Sequence, residues 1–98
     1  MREEVLKFID ALRSVHKEAM IDVFSNGCCY WFAVILCDRF DGEMYYLEVE
    51  NHWITKIGDR FYDVTGEVSG ENAERWSEFV LKDEALTKRL YRDCIWKV

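Results

Sequence analysis

Cys28-Cys29-Tyr30-Trp31-Phe32-Ala33-Val34-Ile35-Leu36-Cys37 is a run of ten apolar residues, preceded by Ser25-Asn26-Gly27 and followed within five residues by Asp41-Gly42. Its composition favours a strand, because Tyr, Trp, Phe, Val and Ile suit sheets. Its length favours a helix, because buried strands of this kind usually stop at about eight residues. Length decides. The run is read as a central helix, apolar on nearly all sides, opened by one turn signal and closed by the other. It is far shorter than the ~20 residues needed to cross a bilayer, so no membrane span is expected.

On the N-terminal side, Val5, Phe8, Ile9, Leu12, Val15 and Ala19 recur at three- and four-residue steps. Lys7, Asp10, Arg13, Ser14, Lys17 and Glu18 fill the opposite side, the pattern of an amphipathic helix. On the C-terminal side Met44 to Val49 reads as a strand. His52–Ile57 and Arg60–Thr65 read as a hairpin around Gly58-Asp59. Ala73, Trp76, Phe79 and Val80 mark one further helix, and Leu86, Leu90 and Tyr91 a second. Cys94 to Val98 reads as a short closing strand. The order of elements gives an α+β class: N-terminal helices, one central and buried, packed on a small antiparallel sheet in one domain spanning residues 1–98.

The chain of 98 residues carries 13 Lys and Arg against 19 Asp and Glu, a net charge of −6, and half its residues are hydrophobic. That apolar fraction argues against disorder, and a chain of this length can build one core. The charge divides as −4 up to Val49 and −2 beyond it. No basic tail is hidden in the average, and phosphate backbones are gripped by clustered Lys and Arg, so nucleic acid is disfavoured as a partner. Met1-Arg2-Glu3-Glu4 leads into no continuous apolar run, so no signal peptide is expected. Of Cys28, Cys29, Cys37 and Cys94, two are adjacent, a poor geometry for a disulfide; free thiols and a cytoplasmic location are expected. No C-x-x-C pair exists, and His16 and His52 stand at no ligand-like spacing from the cysteines, so neither metal nor cofactor is expected.

Three residues stand out as candidates to carry chemistry: Cys29, His52 and Asp63. Asn26-Gly27 before the apolar helix puts Cys28 and Cys29 in its first turn, where the helix dipole favours thiolate and unpaired N–H groups are available to an oxyanion. If Gly58-Asp59 is a two-residue loop, Ile57 faces Arg60, Ile54 faces Asp63 and His52 faces Thr65. His52 and Asp63 are then diagonal neighbours on one sheet face, about 7–8 Å apart or less at Cβ and within reach of a hydrogen bond. Such a bond would fix the imidazole tautomer and stabilise the imidazolium formed when a thiol gives up its proton.

Gly27-Cys28-Cys29-Tyr30-Trp31-Phe32-Ala33 resembles the G-x-C-x-x-F-A stretch opening the catalytic helix of transglutaminase-like proteins, and more loosely the papain-like peptidases. His52-Trp53 and Phe61-Tyr62-Asp63 resemble the histidine and aspartate strands of that superfamily. The resemblance covers Asn26 to Gly66. It implies a papain-like or transglutaminase-like core, with Cys29 as nucleophile, His52 as base and Asp63 as its orienter. The implied activity is acyl hydrolysis or transfer on an amide, ester or thioester of a protein or peptide.

The chain also holds four tryptophans, five tyrosines and six phenylalanines. Most belong in the core. Cys28, Tyr30, Trp31 and Trp53 are the candidates for a substrate cleft; alternation along the strand turns Trp53 away from His52 and favours packing for it. The rival reading is a catalytically idle binding module whose acidic, aromatic surface engages a basic protein.

Overall fold

The structure, a computed structural model, describes residues 1–14 and 29–95 apart from the Cys94 side chain. The expected helical positions Val15 and Ala19, His16, the Ser25-Asn26-Gly27 turn, Cys28 and residues 96–98 lie outside the described residues. Chain order runs α1 (Arg2–Ser14), α2 (Cys29–Phe40), β1 (Glu43–Leu47), β2 (His52–Ile57), β3 (Arg60–Asp63), β4 (Gly66–Val68), β5 (Glu74–Arg75), α3 (Trp76–Lys82) and α4 (Glu84–Leu90). A π-helical turn, Tyr91–Ile95, follows α4. The expected α+β class is what forms: four α-helices and one antiparallel sheet, among the described residues, with strand order β4-β3-β2-β1-β5.

Helix α2 forms where length predicted it. Cys29, Phe32, Ala33 and Leu36, at the three- and four-residue spacing of one helical stripe, are buried against β2. Thr55 of β2, fully buried, donates its hydroxyl to the Ala33 carbonyl at 3.2 Å. The helix is not apolar-buried on all sides, however: Trp31 and Ile35 are 39% and 38% exposed, because the sheet covers a single stripe. The helix stops where Asp41 adopts a left-handed φ of 55° and the Gly42 N–H bonds back to the Cys37 carbonyl at 3.1 Å.

Two clusters share α2. Phe32 and Leu36 pack with Val5 and Ile9 of α1, Ile57, Tyr62 and Val64. Cys29 and Ala33 pack instead with Tyr46, Trp53, Trp76, Phe79, Leu90 and Ile95, an assembly dominated by aromatic rings. Each fully buried large apolar side chain stabilises the fold by roughly 1.5–3 kcal/mol, so both clusters are needed to hold a chain this small.

The β2–β3 hairpin has the two-residue loop that the site requires. Gly58 takes φ 66°, and the ladder runs Ile57↔Arg60, Lys56↔Phe61, Thr55↔Tyr62. Strand β3 is shorter than expected. It ends at Asp63, Val64-Thr65 turn, and Gly66 at φ 122° starts β4, which pairs Asp63↔Gly66. Thr65 is thus a turn residue and not a strand partner of His52. Strands β4 and β5, of three and two residues, are too short to leave a periodic signal. The expected closing strand is also corrected, since Cys94 and Ile95 belong to the π-helical turn that carries α4 onward.

Alternation along β2 turns Trp53, Thr55 and Ile57 toward α2 and Ile54 and Lys56 to the other face, while His52, at the open end of the strand, lies near both Asp63 and Cys29. That second face is partly roofed by the segment after β4. A Cβ on Gly70 would collide with the Phe61 ring, so the backbone there lies directly on the ring.

Candidate functional site

Cys29 opens α2, His52 opens β2 and Asp63 closes β3. All three therefore stand at element ends on the same side of the molecule, where the hairpin register brings them together. His52 Nε2 lies 2.9 Å from Asp63 Oδ2, and both side chains are largely buried, 16% and 14% exposed. The bond occupies Nε2, and the Cys29 thiol is the second group acting on the imidazole.

The electrostatics follow from that order. Burial pushes the Cys29 thiol up, but the His52 imidazole and the backbone N–H groups of Trp53 and Tyr30 outweigh it and hold the thiol below its ordinary value. The bond to Asp63, with the bond to Cys29 second, raises His52 from an ordinary 6.5 to about 9 against the opposing effect of burial. Burial likewise raises Asp63, and its bonds to His52 and Thr65 overcome that and keep the carboxyl below the usual range. All three shifts favour the charged forms: thiolate, imidazolium, carboxylate.

Asp63 is held by its own turn. Thr65 donates to Asp63 Oδ1 twice, from its backbone N–H at 2.7 Å and from its hydroxyl. Arg13 of α1 reaches across and donates Nη1 to the Val64 and Thr65 carbonyls at 3.2 and 3.0 Å. The sequence reading puts Arg13 on the polar side of the first helix and Thr65 opposite His52, and gives neither a part in holding Asp63. Asp63-Val64-Thr65-Gly66 does carry a signal, since an aspartate that accepts from a backbone N–H two residues on, followed by glycine, is a turn signature.

The cleft candidates separate. Tyr30 is packed edge-on against Trp31, Trp53, Trp76 and Tyr91. The Trp53 ring is buried in the aromatic cluster, and its backbone N–H is what meets the thiol. Trp31 is partly exposed and donates its indole N–H to the Ile95 carbonyl at 2.9 Å. Cys28 is outside the described residues. A cleft of about 400 Å³ opens on the sheet's second face, where His52, Ile54 and Asp63 meet Leu47, Val68, Ser69 and Asn72, with Glu50 and Glu71 also lining it. Among the described residues no group of three or more His, Cys, Asp or Glu side chains is placed to hold a metal ion, and no helix is long and apolar enough to cross a membrane.

The family model for Phage YunG-like proteins matches residues 5–90, which include all three side chains. The chain belongs to the Phage YunG-like family. This overturns the transglutaminase-like and papain-like assignment, which rested on short segments between Asn26 and Gly66. A glycine shortly before a cysteine at a helix start, and a histidine and an aspartate on neighbouring strands, are small patterns that unrelated folds can share. The YunG-like match spans nearly the whole chain. No curated protein and no solved structure matches it.

Proposed function

We propose that this YunG-like protein performs thiol-based acyl chemistry through a Cys29-His52-Asp63 triad. The observation that carries the reading is the 2.9 Å bond from His52 to Asp63 on an imidazole that also acts on the Cys29 thiol. In the reaction, His52 accepts the thiol proton and Cys29 sulfur attacks the carbonyl carbon of an amide, ester or thioester. Asp63 holds the imidazole in position and stabilises its charge. The N–H groups of the first turn of α2 would stabilise the developing oxyanion. The tetrahedral adduct collapses to a Cys29 acyl-enzyme as His52 returns its proton to the leaving group, and water or an amine then releases the acyl group.

One observation favours a second reading. Cys29 is only 8% exposed, and the cleft on the second face opens on His52 and Asp63. A binding module of this fold, using its acidic surface on a basic partner, would keep the same three residues as a buried polar cluster.

Thiol reactivity separates the two. Iodoacetamide labelling across pH, read at each cysteine by mass spectrometry, should show Cys29 reacting well below pH 9 in the native protein and losing at least about tenfold in rate at pH 6 in His52→Ala. A Cys29 that stays unlabelled until the protein unfolds removes the catalytic reading and leaves the binding module.

A further inference from the structure

A carboxylate that orients a histidine has two oxygens and a free rotor, and something must choose which oxygen faces the ring. We infer that Thr65 is the positioning residue for Asp63, an assignment that rests on the triad reading proposed above. Both donors of Thr65 sit on Oδ1, its N–H at 2.7 Å with its hydroxyl beside it. Oδ2 alone is left to His52. With one oxygen pinned by two donors, rotation of the carboxylate breaks two bonds at once, and the N–H···O angle at His52, on which a hydrogen bond depends steeply, is preserved.

The turn that carries Thr65 is itself immobilised from two further directions. Arg13 holds the Val64 and Thr65 carbonyls from α1, and the Val64 side chain is fully buried in the cluster shared by α1 and α2. Thr65 is exposed to solvent, so its hydroxyl is not required to satisfy the core. Its bond is instead spent on a residue that touches His52. The distances define a chain running from α1 through the turn to Asp63 and His52.

Thr65→Val keeps the branched shape and the backbone N–H and removes the hydroxyl; Thr65→Ser keeps the hydroxyl. In Thr65→Val the His52 titration midpoint, followed by NMR of the imidazole, should fall by about one pH unit, and iodoacetamide labelling of Cys29 at pH 6 should slow about tenfold. Thr65→Ser should restore both. A merely structural role would move the unfolding temperature without moving the His52 midpoint. An unchanged midpoint in Thr65→Val overturns the assignment, and so does a raised one, which would mean that the hydroxyl only drains basicity from the carboxylate. The two proposals fail separately. A slow wild-type Cys29 with a lowered His52 midpoint in Thr65→Val removes the acyl-transfer reading and keeps the positioning role, whereas a fast wild-type Cys29 unaffected by Thr65→Val does the reverse.

Discussion

Helix α2 carries two cysteines on successive stretches of its length, and its two ends treat them in opposite ways. Cys29, in the first turn, is pushed up by burial yet ends below its ordinary pKa, because an imidazole and two backbone N–H groups converge on the sulfur. Cys37, in the last turns, is also pushed up by burial and stays there, with a Thr55 hydroxyl 4.0 Å away as its main relief and Glu43 adding to the rise. The helix is the same, and the more buried thiol, Cys29, is the one that ends lower. What differs is which dipole end the thiol meets and whether a cation stands beside it. Burial raises a thiol on this helix unless the hairpin supplies a partner.

The largest expected departure from that contrast comes from Asp63→Asn. Asp63 is the first cause of the raised His52 pKa, so the NMR midpoint should fall from about 9 toward 6.5, and Cys29 labelling at pH 6 should drop at least about tenfold while Cys37 labelling is unchanged. Equal losses at both cysteines would mean that the whole helix has loosened, and the contrast would then not be electrostatic.

Next in size is the pH dependence of stability. His52, with a folded pKa of about 9 against 6.5, contributes stability that is complete below pH 6.5 and lost as pH rises through 9. Cys29, depressed below 9.0, contributes in the opposite sense: its stabilisation is complete above pH 9.0 and lost as pH falls through its folded pKa. Cys29→Ser removes that opposing contribution. Calorimetry should therefore show its Tm falling between pH 6.5 and 9, and the fall should vanish in the Cys29→Ser, His52→Ala double variant. Cys37→Ser should keep the wild-type profile.

The smallest effect sharpens the other end. Thr55→Val removes the hydroxyl that bonds the Ala33 carbonyl and touches Cys37. Loss of a buried hydrogen bond of this kind should cost about 1 kcal/mol in denaturant unfolding, with Cys29 labelling unchanged.

Much of this contrast was legible in the residues. Ten apolar residues between two turn signals sufficed for α2, and a two-residue loop at Gly58-Asp59 sufficed to put His52 and Asp63 on one face. Both deductions use only local geometry, periodicity and a tight turn. The strand end at Asp63 was not foreseen, because apolar alternation through Val64 looks like continued strand, and the bonds that stop it belong to side chains of Asp63, Thr65 and a helix some fifty residues away. The π-helical turn at Tyr91–Ile95 was missed for a related reason: Cys94-Ile95 has strand-like composition, and packing of Ile95 into the aromatic cluster overrides it. Family membership is not legible in motifs a few residues long, because the pattern that defines it extends over residues 5–90.

The pairing of His52 with Asp63 belongs to one hairpin, whereas Cys29 meets them only when α2 docks on the sheet. During synthesis the cysteine leaves the ribosome 34 residues ahead of Asp63, an interval of roughly 2–7 seconds at cellular rates of elongation. Through that interval the sulfur is an ordinary, protonated thiol with no imidazole beside it. On the triad reading proposed above, a nascent chain is thereby spared a reactive thiolate until β2 and β3 are in place.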